Sequence, residues 1–256
     1  CFYCVRGLTA RCVVGDLFGW VEGGIGLHGS QAEYVRVPLA DTTLHRVPEA
    51  LGPSAAALFA GDILSTGLFT ADSGGVSAGD AVAVVGSGPV GLMCAIAASE
   101  AGAETVWAID SIPERLDLAA GFGAVPLRLD EAPSEAIFAS TDGRGADVIL
   151  EAVGSPEATR LAYDMVRPGG VIAAAGVHTE TRFAFTPGDV YDKNLTYRAG
   201  RCSAAAYMPR ALEIGMSARY ALEAVVSHEM PLSAAPQGYE IFDRKLDKCT
   251  KVLLRP

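Results

Sequence analysis

One stretch restricts the folds open to this chain more than any other: AVAVVGSGPVG, Ala81–Gly91. An apolar, β-branched run ends at Gly86, and Gly88 and Gly91 follow in G-x-G-x-x-G spacing before a helix-forming sequence. In such a turn the first glycine permits the tight bend. The second lets a pyrophosphate approach the backbone, and the third lets the helix pack close to the strand, with the helix N-terminus attracting the anion. The motif requires an acidic side chain about 20 residues further on, at the end of the next strand. Asp110 stands there, closing TVWAID. A carboxylate at that point hydrogen-bonds ribose hydroxyls and repels a 2′-phosphate, so NAD is expected in preference to NADP. Arg115 reads as covering the adenosine edge or meeting solvent, with neutralisation of a phosphate as the alternative. A glycine-rich strand–helix turn without ligand is the bland reading of the same stretch.

The surrounding pattern supports a layered α/β fold. TVWAID, GADVILEAVG and VIAAAG read as buried strands, separated by the helical segments PVGLMCAIAASEAGA, SIPERLDLAAGFGA and SPEATRLAYDMVRPGG, the last running to a Gly stop. Repeated β-α-β units with apolar strands predict a doubly wound parallel sheet. Upstream, Pro53–Ala71 has a helical texture, and residues 1–52 read as loops and short strands, with QAEYVRVP (Gln31–Pro38) as a half-buried strand ending at proline. The glycines of GWVEGGIGLHGS have no strand leading into them and read as turns. Beyond about Gly200 a short helix is expected at MPRALEIGM, a turn and helix at PLSAAPQGYEIF, and a final strand in LDKCTKVLLRP. The expected domains are 1–52, 53–202 and a return segment, 203–256.

A formal net charge of −10 argues against nucleic-acid partners, because phosphate binding needs a basic surface. No apolar run reaches membrane-spanning length, and no signal pattern opens the chain. Six cysteines in 256 residues are too sparse for a disulfide scaffold, so a reduced, cytoplasmic setting is expected.

Two further groups carry possible chemistry. Asp62, in FAGDILSTG, is either a helix-capping carboxylate or an oxygen ligand for a metal, which would need partners. Cys1, Cys4 and Cys12 supply three thiols where structural zinc takes four ligands. A redox C-x-x-C would open a helix after a strand, which CFYCVRGL does not show. A partial zinc site is the first reading, with chance or redox chemistry beside it. His28, His45, His178 and His228 show no metal-ligand spacing and read as ordinary surface or core residues.

Taken together, these motifs resemble the zinc-dependent medium-chain alcohol dehydrogenases, in the bacterial branch near the sorbitol, threonine and glutathione-independent formaldehyde dehydrogenases. The resemblance runs from Cys1 to the terminal KVLLRP and implies a Rossmann domain plus part of a mainly β, GroES-like catalytic domain. It implies that Cys1, Cys4 and Cys12 match the last three ligands of a structural zinc lobe. Asp62 matches a catalytic-zinc ligand, and Thr66 a threonine near the nicotinamide. GSGPVG with Asp110 matches the NAD fingerprint, placing Gly86, Gly88, Pro89, Val90, Gly91, Asp110, Ser111 and Arg115 at the cofactor. Ala152 and Val153 in EAVG, and Gly176 and Val177 in AGVH, match cofactor-lining strand ends. Gly200, Arg201, Cys202 and Lys251 match weaker contacts, and Arg201 and Tyr191 are assigned near the pocket.

The resemblance further implies NAD-linked oxidation of a small alcohol to an aldehyde or ketone, and a homodimer or homotetramer joined through Rossmann edge strands, with Val171–Phe185 as the candidate region. The family's catalytic Cys, its Gly-His-Glu motif and its proton relay lie upstream of the segment matched here. Both zinc sites are therefore expected to be incomplete, in a chain cut within its zinc lobe and unable to build the catalytic centre. A NAD-binding module or pseudoenzyme of the same superfamily is the alternative. A zinc-free reductase is a third, disfavoured by the cysteine spacing and Asp62.

Overall fold

The computed structural model describes residues 1–256, and the chain divides into two units, Cys1–Leu58 with Ser203–Pro256, and Phe59–Cys202. The first unit begins with single 3-10 turns at Cys4–Arg6 and Thr9–Arg11. Strands β1 (Trp20–Glu22) and β2 (Ile25–Leu27) then pair as a hairpin. Gly23 and Gly24 turn it with φ of 59° and 80°. Of the two-residue turns that follow the strand twist, type I′ has both angles positive, as here, and glycine supplies them without a Cβ clash. Helix α1 (Ala40–Thr43) is one turn long, and the change of unit falls within α2 (Ala55–Ala60).

The second unit follows as α3 (Ile63–Gly74), β3 (Ala81–Val85), α4 (Pro89–Glu100), β4 (Thr105–Asp110), α5 (Pro113–Gly121), β5 (Val125–Arg128), α6 (Pro133–Ser140), β6 (Ala146–Glu151), α7 (Pro156–Met165), β7 (Val166–Ala174), α8 (Pro187–Lys193) and β8 (Thr196–Ala199). All six strands are parallel, in the order β5-β4-β3-β6-β7-β8. Helices α4 to α8 each open on proline, which suits a first turn because its missing N–H would have no intrahelical partner there. Strand order reverses direction between β3 and β6, the switch point at which such sheets leave a crevice outside the strands' carboxyl ends.

Leu64 and Leu68 of α3 and Leu92, Met93 and Ile96 of α4 are fully buried, as are Val82, Ala83 and Val84 of β3. A second cluster joins Ile137, Ile149, Tyr163, Ile172, Phe185 and Leu195. At the opposite end of the strands, Asp147 ties the sheet together: Oδ2 accepts from Ala81 N at 2.8 Å and Oδ1 from Arg167 Nε at 2.6 Å. Burial alone would raise this carboxyl, but the Arg167 and Ala81 hydrogen bonds hold it below the usual range. The chain ends in the first unit with α9 (Ala204–Ser217), β9 (His228–Pro231), α10 (Ala235–Asp243) and β10 (Val252–Arg255), the two strands pairing in parallel.

Several elements differ from the sequence-based expectation. Gln31–Pro38 forms no strand, and Tyr34 stays 91% exposed. Alternation makes a strand only where a neighbouring strand completes the ladder, and none pairs here. The helix in SPEATRLAYDMVRPGG stops at Met165, and Val166 already pairs with Ala146 across a bulge. Pro168 disfavours helical backbone at Arg167, so the chain turns extended before the glycines. Helix α9 is longer than MPRALEIGM and carries Pro209 inside it, because Ala204–Ala206 are strong helix formers that start it upstream. Val171–Ala174 lies between β6 and β8 and is therefore interior; the free edge on that side is β8.

Helices α3 and α4 meet at Gly67, where a Cβ would stand 2.5 Å from the Met93 carbonyl carbon and oxygen. Backbone atoms cannot yield as a side-chain tip can. Gly67→Ala is expected to cost about 1–3 kcal/mol by overpacking, whereas Gly121→Ala, with nothing within 4 Å, should be neutral or slightly stabilising. Denaturant unfolding of both variants measures the difference.

Candidate functional site

The turn after β3 is held from inside. Gly86 takes φ of 89°, and its N–H donates to Ile109 O at 2.9 Å. A Cβ on Gly91 would run into the Gly86 carbonyl oxygen, so only glycine lets α4 start this close to the strand. Gly88 is different. The nearest atom to a Cβ built there is Arg115 Nη1, 3.7 Å away, so no backbone crowds it and only the tip of a long side chain stands in contact range. The turn thus has one glycine that permits the bend, one that permits packing and one that no neighbouring backbone crowds.

Asp110, 9% exposed, ends β4 beside this turn. Its Oδ2 accepts from Ser87 N at 2.8 Å, and its Oδ1 accepts from Ile112 N at 3.0 Å. Arg115 Nη1 lies 3.5 Å from Oδ2, while Arg115 Nε is buried without a hydrogen-bond partner. Each carboxylate oxygen has a second lone pair, so Asp110 can accept further hydrogen bonds while it orients the glycine turn. Pro89 and Val90 form the first turn of α4, and Ser111 is exposed just past Asp110.

The ends of β6 and β7 meet the same crevice. Val153 packs on Gly86, where a Cβ would lie 2.5 Å from Val153 Cγ2. Ala152 N donates to Val85 O at 2.9 Å. Gly154 and Gly176 touch backbone to backbone, and Val177 is 82% exposed. At this junction lies a pair that reading the sequence missed. Glu151, 1% exposed, accepts from Val153 N and Gly154 N with Oε1 and faces His178 Nε2 with Oε2 at 3.0 Å. His178 is therefore no ordinary isolated histidine. The available signal was an acidic residue ending an otherwise apolar strand.

A second cluster holds Asp62, Thr66 and Cys202. Asp62 occupies the N-cap position of α3 but makes no side-chain cap bond, and it is exposed. Burial pushes the Cys202 thiol up to about 11, with the Asp62 charge adding to the rise and a hydrogen bond with Thr66 opposing it. Gly200 packs against Phe69, Arg201 is exposed, and Tyr191 is 85% exposed on α8. Lys251 belongs to the other unit, where its carbonyl accepts from Ser227 N and His228 N.

Also in that unit, the sulfurs of Cys1, Cys4 and Cys12 all lie within 4.8 Å of one another, and Cys1 Sγ is 3.5 Å from Cys4 Sγ. The Val14 backbone N–H, and then the Cys4 thiol, lower the Cys12 pKa, while the bond to Cys12 raises that of Cys4. Three thiols can fill three positions of a tetrahedral zinc site, leaving one for a donor outside the trio. No other group of three ligating side chains is gathered anywhere in the chain, and Asp62 joins none. No helix is long and apolar enough to cross a membrane.

Residues 89–216, half of the chain, match the family described as zinc-binding dehydrogenase. A zinc-type alcohol dehydrogenase B of Aspergillus flavus is 38% identical over all of this chain, which spans 60% of that protein's length. A zinc-type alcohol dehydrogenase-like protein of Bacillus subtilis is 33% identical over all of this chain and 76% of its own length. The alcohol dehydrogenase TADH from Thermus sp. ATN1 superposes with a TM-score of 0.93 at 42% identity, covering all of this chain and 74% of that one.

Thiol reactivity should follow these environments, because only the thiolate attacks. At pH 7.5, iodoacetamide is expected to label Cys12 first. Cys202, and Cys94, which burial pushes up to about 12, should stay unlabelled in the folded protein. Peptide mapping by mass spectrometry at successive times gives the order.

Proposed function

The chain belongs to the zinc-dependent medium-chain alcohol dehydrogenase family, and on that premise we propose that Phe59–Cys202 binds NAD in an oxidoreductase that moves a hydride between a small alcohol and the cofactor. The observation that carries this reading is the glycine turn itself, in which Gly88 is approached by no backbone and only by the Arg115 guanidinium, beside a carboxylate at the end of β4 that accepts from Ser87 N. The residues present fit a dinucleotide. The pyrophosphate would lie on the first turn of α4, whose N–H groups and dipole favour an anion. Asp110 would accept the ribose hydroxyls and disfavour a 2′-phosphate. Ala152, Val153, Gly176 and Val177 would line the other half of the crevice, and Thr66 would stand near the reacting ring. Bound NAD supplies the hydride acceptor, while the protein supplies orientation and electrostatics.

The remaining assignments extend this reading. Cys1–Leu58 with Ser203–Pro256 is proposed to be part of a GroES-like catalytic domain, with Cys1, Cys4 and Cys12 as ligands of a structural zinc. β8, the edge strand beside β7, is the proposed surface for pairing with a second copy. The substrate class, a small alcohol or its carbonyl product, is a proposal for the whole protein, since this chain spans 60% of the length of the Aspergillus relative. Asp62 is the one residue here that the resemblance matches to a catalytic-zinc ligand, and we propose that it holds no zinc in this chain. A lone carboxylate does not fit that ion, which takes three protein ligands, so no step is routed through it.

Two measurements test these proposals. Gly88→Ala should keep its melting temperature yet weaken NADH binding by about tenfold or more, because the methyl fills the space for the pyrophosphate. Asp110→Asn should narrow the preference for NADH over NADPH, both read by nucleotide fluorescence titration. Separately, zinc analysis of this chain after dialysis should find no metal retained at Asp62, so that Asp62→Ala leaves the zinc content unchanged. A drop in bound zinc in that variant would refute the reading.

A further inference from the structure

The strand order places the two halves of a dinucleotide on opposite sides of the switch point. Asp110, at the end of β4, marks the adenosine side. The other mononucleotide half falls over β6, β7 and β8, and its floor is formed by the segments that follow β6 and β7. One carboxylate organises both segments. Glu151 closes β6, and its Oε1 receives Val153 N at 2.7 Å and Gly154 N at 2.8 Å, fixing the turn after β6. Its backbone carbonyl receives Ala175 N at 2.8 Å and Gly176 N at 3.2 Å, fixing the start of the segment after β7. Its remaining oxygen, Oε2, lies 3.0 Å from His178 Nε2. A Cβ on Gly176 would come within 2.8 Å of that same oxygen, so the segment passes directly over the carboxylate.

We propose that His178 is a positioning residue, which through its hydrogen bond to buried Glu151 fixes the Gly176–Val177 backbone against which the nicotinamide half of the cofactor lies. The inference rests on the NAD reading above and deepens it. The ring suits the task. It is one-quarter exposed, its Nδ1 faces Glu180 Oε2 at 3.5 Å, and Glu180 in turn receives Thr179 N at 3.2 Å. The imidazole thus pins the outer end of the segment to a carboxylate that is 1% exposed and fixed by two backbone donors. A carboxylate buried to this degree requires its hydrogen bonds, so losing the ring frees the segment and leaves Oε2 short of a partner. The glycine turn, where the pyrophosphate and adenosine would be held, has its own anchors in the Ser87 N–Asp110 and Gly86 N–Ile109 O hydrogen bonds.

The test compares two ligands on the intact chain by titration calorimetry: NADH, and ADP-ribose, which lacks the nicotinamide. His178→Ala should weaken NADH binding about tenfold, the worth of one such hydrogen bond, and leave ADP-ribose binding unchanged. His178→Gln, which can still donate to Glu151, should recover most of the loss. Equal weakening of both ligands, or no weakening of NADH, overturns the assignment. If the unaltered chain binds neither ligand, the NAD reading itself fails and takes this inference with it. Should His178→Ala melt too low to assay, His178→Phe, which keeps ring volume and loses both nitrogens, carries the same comparison.

Discussion

The contact between Gly91 and the Gly86 carbonyl is the constraint on which the rest of the nucleotide unit depends. It sets how closely α4 can begin to β3, and so directs the N-terminus of that helix at the crevice beyond the strand ends. With that approach fixed, α4 lies against α3, and the contact at Gly67 is again backbone to side-chain-free backbone. Glycines at these two places allow three apolar elements to pack more tightly than any side chain would. Fully buried Leu64, Leu68, Leu92 and Met93 fill the remaining space.

Around this frame, the carboxylates at the strand ends do more than carry charge. Asp110 and Glu151 each end a parallel strand and each receive two backbone N–H groups, Glu151 both from the turn that follows it, Asp110 one from the turn after β4 and one from the glycine turn after β3. Buried charge is tolerated because these donors are fixed by the fold and need little reorganisation. Asp110 orients the glycine turn by accepting from Ser87 N. Glu151 orients two segments on the other side and engages His178. Asp147, at the opposite end of the strands, uses the same device for stability alone, joining β3, β6 and β7 through Ala81 and Arg167.

Elements with strong local signals were legible in the sequence. TVWAID forms the whole of β4, and the helix after Gly88 starts at Pro89, because apolar β-branched runs and an N-terminal proline act within a few residues. Signals that depend on a distant partner were misread. Gln31–Pro38 alternates like a strand, yet no neighbour pairs with it. Val171–Ala174 looked like part of an edge, yet β8, which the sequence reading passed over, covers it. His178 looked isolated because its partner stands 27 positions earlier in the chain.

By itself the sequence determined the β-α-β alternation, the glycine turn with its acidic partner, and the spacing of three cysteines, since each is a matter of local conformation or short-range periodicity. Tertiary structure alone decided which oxygen of Asp110 takes which N–H, that only the Arg115 guanidinium stands near Gly88, and that the three sulfurs converge within 4.8 Å. It alone joined Glu151 to His178. These are questions of distance between segments, and distance across a sheet follows from strand order and packing, neither of which a linear pattern encodes.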